Sequence, residues 1–210
     1  MIFVKICGIT RLEDAIAAAD LGARALGFNF YKKSKRYIQP EKAVEIIEQL
    51  PGHILKVGLF VNSPENEVEN INSRLELDLL QFHGDETPEF CEKWADKVIR
   101  AFRIENENQL EIIEKYPFAR MIIIDAAITG QYGGTGELSD WDIAIKAKKH
   151  GIPLLLAGGL TSANVSEAIQ KVKPFGVDVA GGVESFPGIK DREKIRAFMH
   201  SVRRGRDSFK

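Results

Sequence analysis

Short apolar runs alternate with segments of helical periodicity along the whole chain. Runs such as Met121–Ile124 and Leu154–Ala157 are apolar throughout, which is typical of parallel strands buried on both faces. Strands with one face in water would instead alternate apolar and polar residues. The pattern predicts strands at Ile2–Ile6, Ala25–Phe30, Leu55–Val61, Leu79–Phe82, Lys97–Phe102, Met121–Ile124, Pro153–Ala157 and Gly176–Val179.

Cap signals mark the starts of several predicted helices. Thr10 and Glu13 have the spacing of a capping box at the start of a helix over Arg11–Leu21. Ser63–Pro64 and Thr87–Pro88 each place a cap residue before a proline at the first helical position. Helices therefore follow the strands in regular alternation.

This alternation predicts the fold class. About eight strand–helix units, joined by helical crossovers, predict a (β/α)8 TIM barrel: a closed parallel sheet with outer helices, forming a single domain over 1–210. The alternative is an open doubly wound sheet, which usually has fewer units and a glycine-rich dinucleotide turn after its first strand. Here the first strand is followed by Cys7, Gly8 and Ile9 instead.

Composition narrows the class of partner. The chain has 29 basic and 30 acidic side chains, a net charge of -1 and a pI near 6.5, which does not favour nucleic acid or a membrane surface. Its most apolar stretches fall far short of the roughly 18 residues that a membrane span needs. We therefore expect a small-molecule partner and a monomer or homodimer. With only two cysteines, no disulfide framework is implied, and a reducing, cytoplasmic location is expected.

Paired glycines follow the last two predicted strands. Barrels often bind phosphate with the loops after strands 7 and 8, and Gly158–Gly159 and Gly181–Gly182 occupy those loops. Glycine lets backbone N–H groups approach phosphate oxygens, and a helix start adds partial positive charge. One such pair could serve only as a tight turn, but two at these strands predict a phosphorylated ligand.

Two titratable residues end strands at the predicted barrel mouth. Cys7 ends strand 1, where neighbouring cations such as Lys5 or Arg36 would favour loss of its proton, so it is a candidate general base. Asp125 follows an apolar strand, where partial desolvation would let it hold a proton, so it is a candidate general acid. The alternatives are a buried inert cysteine and a solvated loop aspartate. Cys91, inside a helix, is interpreted as structural.

Three further residues are candidates for binding substrate. Arg36 lies in a basic loop that could be merely a solvated face, but at the mouth it suits a bidentate grip on a carboxylate. Asp178 could accept a hydrogen bond from substrate or form a structural pair within the barrel. His83 could donate from behind the reacting groups or be an ordinary loop histidine. No other histidine stands at ligand spacing, so neither a metal nor another cofactor is expected.

Several motifs are similar to those of a known family. The chain resembles phosphoribosylanthranilate isomerases over nearly its whole length. The motifs are Val4–Thr10 (VKICGIT), Ser34–Ile38 (SKRYI), Val57–Asn62 (VGLFVN), Leu80–Gly84 (LQFHG), Asp125, Gly133–Gly136 (GGTG), Ala157–Leu160 (AGGL), Asn164–Val165, Asp178–Val179, Gly181–Glu184 (GGVE) and Pro187–Asp191 (PGIKD).

The resemblance implies a specific reaction. It implies conversion of N-(5-phosphoribosyl)anthranilate to 1-(2-carboxyphenylamino)-1-deoxyribulose 5-phosphate, a cofactor-free Amadori rearrangement in tryptophan biosynthesis. In that scheme Asp125 protonates the ribose ring oxygen and Cys7 removes the C2 proton. Arg36 would bind the anthranilate carboxylate and the glycine loops the phosphate. Departures from the family pattern are small: Ala157 stands where serine is common, and Ala126–Ile128 fills a variable loop.

Three other functions share part of this pattern. A related sugar isomerase of histidine biosynthesis resembles this pattern but has an aspartate as its first-strand base, and Cys7 argues against it. Indole-glycerol-phosphate synthase relies on a catalytic lysine and a longer amino terminus that are not evident here. A non-catalytic phosphosugar-binding module would need no proton donor opposite a thiol.

Overall fold

Eight parallel strands close into a barrel in the computed structural model, which describes residues 2–104, 106–125 and 140–207. Each strand pairs with its sequence neighbours, and β8 pairs with β1. The strands are β1 Phe3–Cys7, β2 Ala25–Asn29, β3 Leu55–Phe60, β4 Leu79–Phe82, β5 Val98–Phe102, β6 Met121–Asp125, β7 Leu154–Ala157 and β8 Gly176–Val179. A two-stranded antiparallel hairpin, β9 Glu184–Phe186 and β10 Ile189–Lys190, follows the barrel.

Helical segments follow the strands. The α-helices are α1 Leu12–Asp20, α2 Pro40–Ile47, α3 Glu65–Leu75, α4 Pro88–Glu92, α5 Asp140–Ala147, α6 Val165–Val172 and α7 Arg192–Asp207. Short 3-10 helices lie at Ala95–Lys97, Glu107–Lys115, Lys148–His150 and Gly181–Val183. Within the described ranges, none of the helices has the length and apolar character needed to cross a membrane.

The predicted fold class is confirmed, and the structure corrects two of the predicted caps. Thr87 caps α4 by accepting a hydrogen bond from the Phe90 amide. The Thr10–Glu13 capping box is wrong: α1 begins after Arg11 without a side-chain cap, because the Thr10 hydroxyl donates to the Gly188 carbonyl instead. The helix predicted to begin at Pro64 begins one residue later, and Pro64 itself is the N-cap.

Two apolar cores flank the barrel wall. Alternate strand residues face the barrel axis, and those in the lower layers are apolar, among them Val57, Leu79, Ile123 and Leu155. The opposite face of each strand packs against the outer helices and forms the larger core. Because both faces are covered, the strands are apolar almost throughout, which is why the sequence runs were recognisable.

The upper interior layer is polar and contains a buried ion pair. Lys5 of β1 and Asp178 of β8 are register partners, and the Lys5 Nζ donates to Asp178 Oδ1 at 2.9 Å. The lysine is fully buried and the aspartate is 9% exposed. Burial opposes the charged lysine, but Asp178 and then Cys7 outweigh it, so the pKa of Lys5 is raised. The pair therefore joins the first and last strands where the barrel closes.

Removing one partner of this pair should destabilise the fold. Lys5→Met leaves the Asp178 carboxylate buried without its cation, so we expect a loss of about 3–5 kcal/mol in the free energy of unfolding, measured by urea denaturation. Lys56→Met is the control, because Lys56 and Asp78 form a partly exposed pair at 3.8 Å and should contribute less than about 1 kcal/mol. Equal losses in the two variants would contradict the role assigned to the buried pair.

Candidate active site

A cleft opens at the carboxyl ends of the barrel strands. The described residues leave a volume of about 1370 Å³ there, ample for a phosphorylated sugar carrying an aromatic ring. All of the side chains and glycines predicted from the sequence line this cleft: Cys7, Arg36, His83, Asp125, Gly158, Gly159, Asp178, Gly181 and Gly182. Gly133–Gly136 and Ala126–Ile128 lie outside the described residues.

Cys7 is the last residue of β1, at its carboxyl end, and Gly27 of β2 leaves room for its side chain. The two residues are register partners. A β-carbon at Gly27 would lie 2.8 Å from the Cys7 Sγ and 3.1 Å from the Lys5 Nζ, so any side chain there would displace one of them. Glycine at this position therefore lets the thiol and the buried ammonium approach each other.

Two more cations surround the end of β1. The buried Lys190 Nζ donates to the Cys7 carbonyl at 2.6 Å, which fixes the backbone of the candidate base. Arg36 packs its side chain over Gly8, where a β-carbon would lie 2.5 Å from the Arg36 Cδ. With Lys5, these groups form an electropositive surrounding that complements a thiolate at Cys7.

Asp125 and His83 face each other across the cleft floor. Asp125 ends β6, and its Oδ2 lies 4.0 Å from the His83 Nε2. The His83 Nδ1 lies 3.1 Å from the Gln81 Nε2; with the amide as donor, the imidazole proton is on Nε2, on the side of Asp125. Burial, partly opposed by Asp125, lowers the pKa of His83, so its ring is neutral near pH 7.

Asp178 forms the structural pair that was one of the two roles predicted for it, and its position leaves the substrate-binding role as a prediction. Its Oδ1 accepts from Lys5, which is the structural pair within the barrel. The residue also lines the cleft, so its second oxygen remains a candidate acceptor for a substrate hydroxyl or amine.

The two glycine loops converge at one corner of the cleft. Gly158 and Gly159 adopt the left-handed φ values of +87° and +61° that favour glycine. Gly182 packs directly on the neighbouring loop, since a β-carbon there would lie 1.8 Å from the Leu160 carbonyl oxygen. The 3-10 turn at Gly181–Val183 presents its first amides without intrahelical partners. Together the loops form a backbone cradle suited to an anion.

An asparagine holds the first of these loops in shape. The Asn164 side chain accepts from the Thr161 amide at 2.8 Å and donates to the Gly159 carbonyl at 3.0 Å. With its carbonyl engaged by this amide, the Gly159 backbone is fixed in the left-handed conformation that shapes the cradle.

Arg36 reaches the cleft from the loop after β2 and is anchored by Glu184. The Nε and Nη2 atoms donate to the two carboxylate oxygens at 2.8 and 2.7 Å. Hydrogen bonding to Glu184 outweighs the effect of burial and raises the pKa of Arg36. Burial also disfavours the Glu184 carboxylate, but bonds from Arg36 and Lys190 outweigh it and lower the pKa of Glu184.

The sequence reasoning missed Glu184, Lys190 and Gln81 as parts of the site. Glu184 and Lys190 stand inside motifs, but only the folded chain shows that they meet Arg36 and Cys7. Gln81 is a polar residue within an apolar strand run, and that was the available signal in the sequence. In the structure it is fully buried. Its Oε1 and the His83 Nε2 are buried and have no hydrogen-bond partner among the described residues.

Among the described residues, no group of three or more histidine, cysteine, aspartate or glutamate side chains has a geometry that could hold a metal ion.

Fold and site together define a (β/α)8-barrel enzyme, and comparison with known proteins specifies the family. The family model for N-(5'-phosphoribosyl)anthranilate (PRA) isomerase matches residues 4–201. A protein of Geobacter sulfurreducens named N-(5'-phosphoribosyl)anthranilate isomerase is 51% identical over 203 residues, covering 97% of this chain and 99% of that protein. The chain belongs to the N-(5'-phosphoribosyl)anthranilate isomerase family.

Solved structures agree. The phosphoribosylanthranilate isomerase of Thermotoga maritima is 42% identical with a TM-score of 0.88, covering 97% of this chain and 99% of that chain. Another isomerase structure, 40% identical with a TM-score of 0.86 and the same coverage of both chains, holds reduced 1-(o-carboxyphenylamino)-1-deoxyribulose 5-phosphate. A third, 38% identical with a TM-score of 0.85 and again the same coverage, is of monomers made from the dimeric Thermotoga maritima enzyme.

The half-buried imidazole of His83 should titrate below its ordinary pKa of 6.5. A proton NMR titration measures this, with the signal identified by its loss in His83→Asn. Because the unfolded chain takes up this proton first, the contribution of His83 to stability should be complete above pH 6.5 and decline as the pH falls. A midpoint at or above 6.5 would contradict the assigned neutral state.

Proposed function

We propose that the chain converts N-(5'-phosphoribosyl)anthranilate to 1-(2-carboxyphenylamino)-1-deoxyribulose 5-phosphate, the isomerisation step of tryptophan biosynthesis, with Cys7 as base and Asp125 as acid. The observation that carries the proposal is their placement: both end barrel strands and line one cleft with the glycine cradle and Arg36. The similar structure in complex with reduced 1-(o-carboxyphenylamino)-1-deoxyribulose 5-phosphate supports a ligand of this chemistry.

Ring opening is the first step and requires an acid. Asp125 gives its proton to the ribose ring oxygen as the bond between C1 and that oxygen breaks. The lone pair of the anthranilate nitrogen moves into the C1–N bond and forms an iminium. Neutral His83, with its Nε2 proton directed towards Asp125, keeps that proton and can donate a hydrogen bond to the resulting carboxylate.

Proton removal at C2 is the second step and requires a base. The Cys7 thiolate takes the C2 proton, and the electrons of that C–H bond form a C1–C2 double bond while the iminium nitrogen is neutralised. The enolamine then tautomerises to the ketone by moving its hydroxyl proton to C1. The Lys5 ammonium lies near the thiol, and Lys190 holds the Cys7 backbone, so the base is fixed where the proton leaves.

The two charged ends of the substrate would hold the ribose between acid and base. The cradle formed by Gly158–Gly159 and Gly181–Gly182 would bind the phosphate through backbone amides. Arg36 would bind the anthranilate carboxylate through the guanidinium edge that Glu184 leaves available. Asp178 and His83 complete the substrate-binding set.

The proposal also covers the cofactor requirement, the cellular location and the assembly of the enzyme. Acid and base suffice for the rearrangement, so no cofactor is invoked. Two cysteines that form no disulfide support a reducing, cytoplasmic location. We propose one domain over 1–210, acting as a monomer or homodimer.

Replacing the acid or the base should abolish most turnover. Because proton transfer by a positioned side chain typically contributes about 10²- to 10⁴-fold, Cys7→Ala and Asp125→Asn should each lower kcat by roughly that factor. The fluorescence assay that follows loss of phosphoribosylanthranilate measures kcat, and calorimetry with reduced product should show nearly unchanged affinity.

Cys7→Asp is the matched control for the base. It restores an acceptor at the same position and should retain more activity than Cys7→Ala. Cys91→Ala removes a thiol that is not among the described cleft-lining residues, and it should leave kcat unaltered. Wild-type turnover by Cys7→Ala would show that the cysteine is structural and that the mechanism is wrong.

The glycine cradle predicts a selective effect on substrate binding. Gly159→Val should raise KM by about tenfold while changing kcat much less, because a phosphate contact binds ground and transition states alike. Gly151→Val is the control: Gly151 also has positive φ, and neither site has atoms within 4 Å of the new β-carbon. Both variants place valine at a positive φ, so both carry backbone strain. An equal rise in KM would show that the Gly159 loop does not bind the substrate phosphate.

A further inference from the structure

Glu184 is a buried carboxylate with four hydrogen bonds, and it is not among the described residues that line the cleft. Besides the two bonds from Arg36, its Oε1 accepts from the Lys190 Nζ at 2.7 Å and from the Gly188 amide at 3.1 Å. A carboxylate so fully engaged has one fixed orientation. Any influence on a substrate must therefore pass through its partners.

The orientation of Arg36 depends on this contact. A guanidinium has two planar edges that can each grip a carboxylate, and Glu184 takes the edge made by Nε and Nη2. The edge that includes Nη1 is left for a ligand. Arginine otherwise loses considerable rotamer freedom when it is ordered, so a fixed partner lowers the cost of binding.

The same carboxylate links Arg36 to the rest of the site. Lys190, which Glu184 holds, also donates to the Cys7 carbonyl at 2.6 Å and to the Ala180 carbonyl at 3.3 Å, immediately before the second glycine pair. One buried ion network therefore holds the guanidinium of Arg36, and through Lys190 it also contacts the backbone at Cys7 and at Ala180.

We propose that Glu184 is a positioning residue that aims the free edge of Arg36 at the aromatic carboxylate of the substrate and so sets the selectivity for carboxylate-bearing substrates. The proposal rests on the function proposed for Arg36 above. It adds that selectivity depends on the orientation of the arginine and not only on its charge.

Charge alone predicts the opposite result, which makes the proposal testable. Arg36 and Lys190 carry two positive charges and Glu184 one negative, so the cluster holds one unmatched positive charge. Glu184→Gln removes the negative charge and should strengthen carboxylate binding if charge governed it. If orientation governs it, the same variant should weaken carboxylate binding. The glutamine NH2 group is a donor and cannot accept a hydrogen bond from Arg36 or Lys190, so Arg36 is no longer held in place.

The experiment compares two ligands by calorimetry: reduced 1-(o-carboxyphenylamino)-1-deoxyribulose 5-phosphate and the same compound without the carboxylate. Glu184→Gln should weaken binding of the first by about tenfold or more, the usual value of a charge-assisted hydrogen bond, and leave the second nearly unchanged. KM for the substrate should rise in parallel, with a smaller change in kcat. Glu193→Gln, which removes an exposed carboxylate paired with Arg196, is the control and should change neither affinity.

Arg36→Met separates this proposal from the function on which it rests. In that background Glu184→Gln should have no further effect on the carboxylate-dependent part of the affinity. If Arg36→Met itself leaves that part unchanged, the proposed carboxylate contact is wrong. If Arg36→Met removes it and Glu184→Gln leaves or strengthens it, only the positioning role is wrong.

Glu184→Asp covers the case in which the glutamine variant does not fold. Aspartate keeps the negative charge but is one methylene shorter, so it cannot hold Arg36 and Lys190 together. Positioning predicts that a folded Glu184→Asp variant, checked by circular dichroism, also loses carboxylate-dependent affinity. Wild-type affinity in this variant would overturn the proposal.

Discussion

The ion pair between Lys5 and Asp178 joins the two ends of the barrel inside its upper layer, and much of the site depends on it. Buried charges are tolerated only when they are paired, so the pair fixes the register in which β8 meets β1. That register brings Cys7, at the end of β1, beside the glycine turn that follows β8. The same lysine lies near the Cys7 thiol, and the same aspartate lines the cleft. The same ion pair therefore closes the barrel and places the candidate base.

Charged side chains fix the loops at the mouth where apolar packing cannot. Irregular backbone leaves N–H and C=O groups unpaired, and buried charged groups satisfy them. Glu86 accepts from the Asn62 and Gly84 amides at 2.7 and 2.9 Å, and Arg100 donates to the Phe82 and Gly84 carbonyls at 2.9 and 2.8 Å. On the other side of the mouth Glu184 and Lys190 have the corresponding role. The cleft thus lies between two buried ion networks that hold its walls.

The fold was predictable from the sequence because strands covered on both faces are apolar runs of limited length, and regular alternation with helices leaves few topologies. Because the active site of such a barrel lies at the carboxyl ends of its strands, Cys7 and Asp125 could be placed in the cleft. Features that depend on distant partners were not predictable. Thr10 fits a capping box locally, yet its hydroxyl bonds to Gly188, and Arg36 meets Glu184 across 148 positions of sequence. Local patterns carry no information about which of several distant partners a polar group will find.

Glycines determine how closely the parts of the site approach one another. A β-carbon at Gly27 would collide with Cys7, one at Gly8 with Arg36, and one at Gly182 with the Leu160 carbonyl. In each case the obstructed atoms belong to the candidate base, the candidate carboxylate-binding residue or the phosphate cradle. Close-packed interiors transmit such displacements instead of absorbing them, and a shift of about 1 Å between reacting groups is enough to lower catalysis substantially. The glycines at the mouth therefore allow short distances between the parts of the site, and any side chain at these positions would lengthen them.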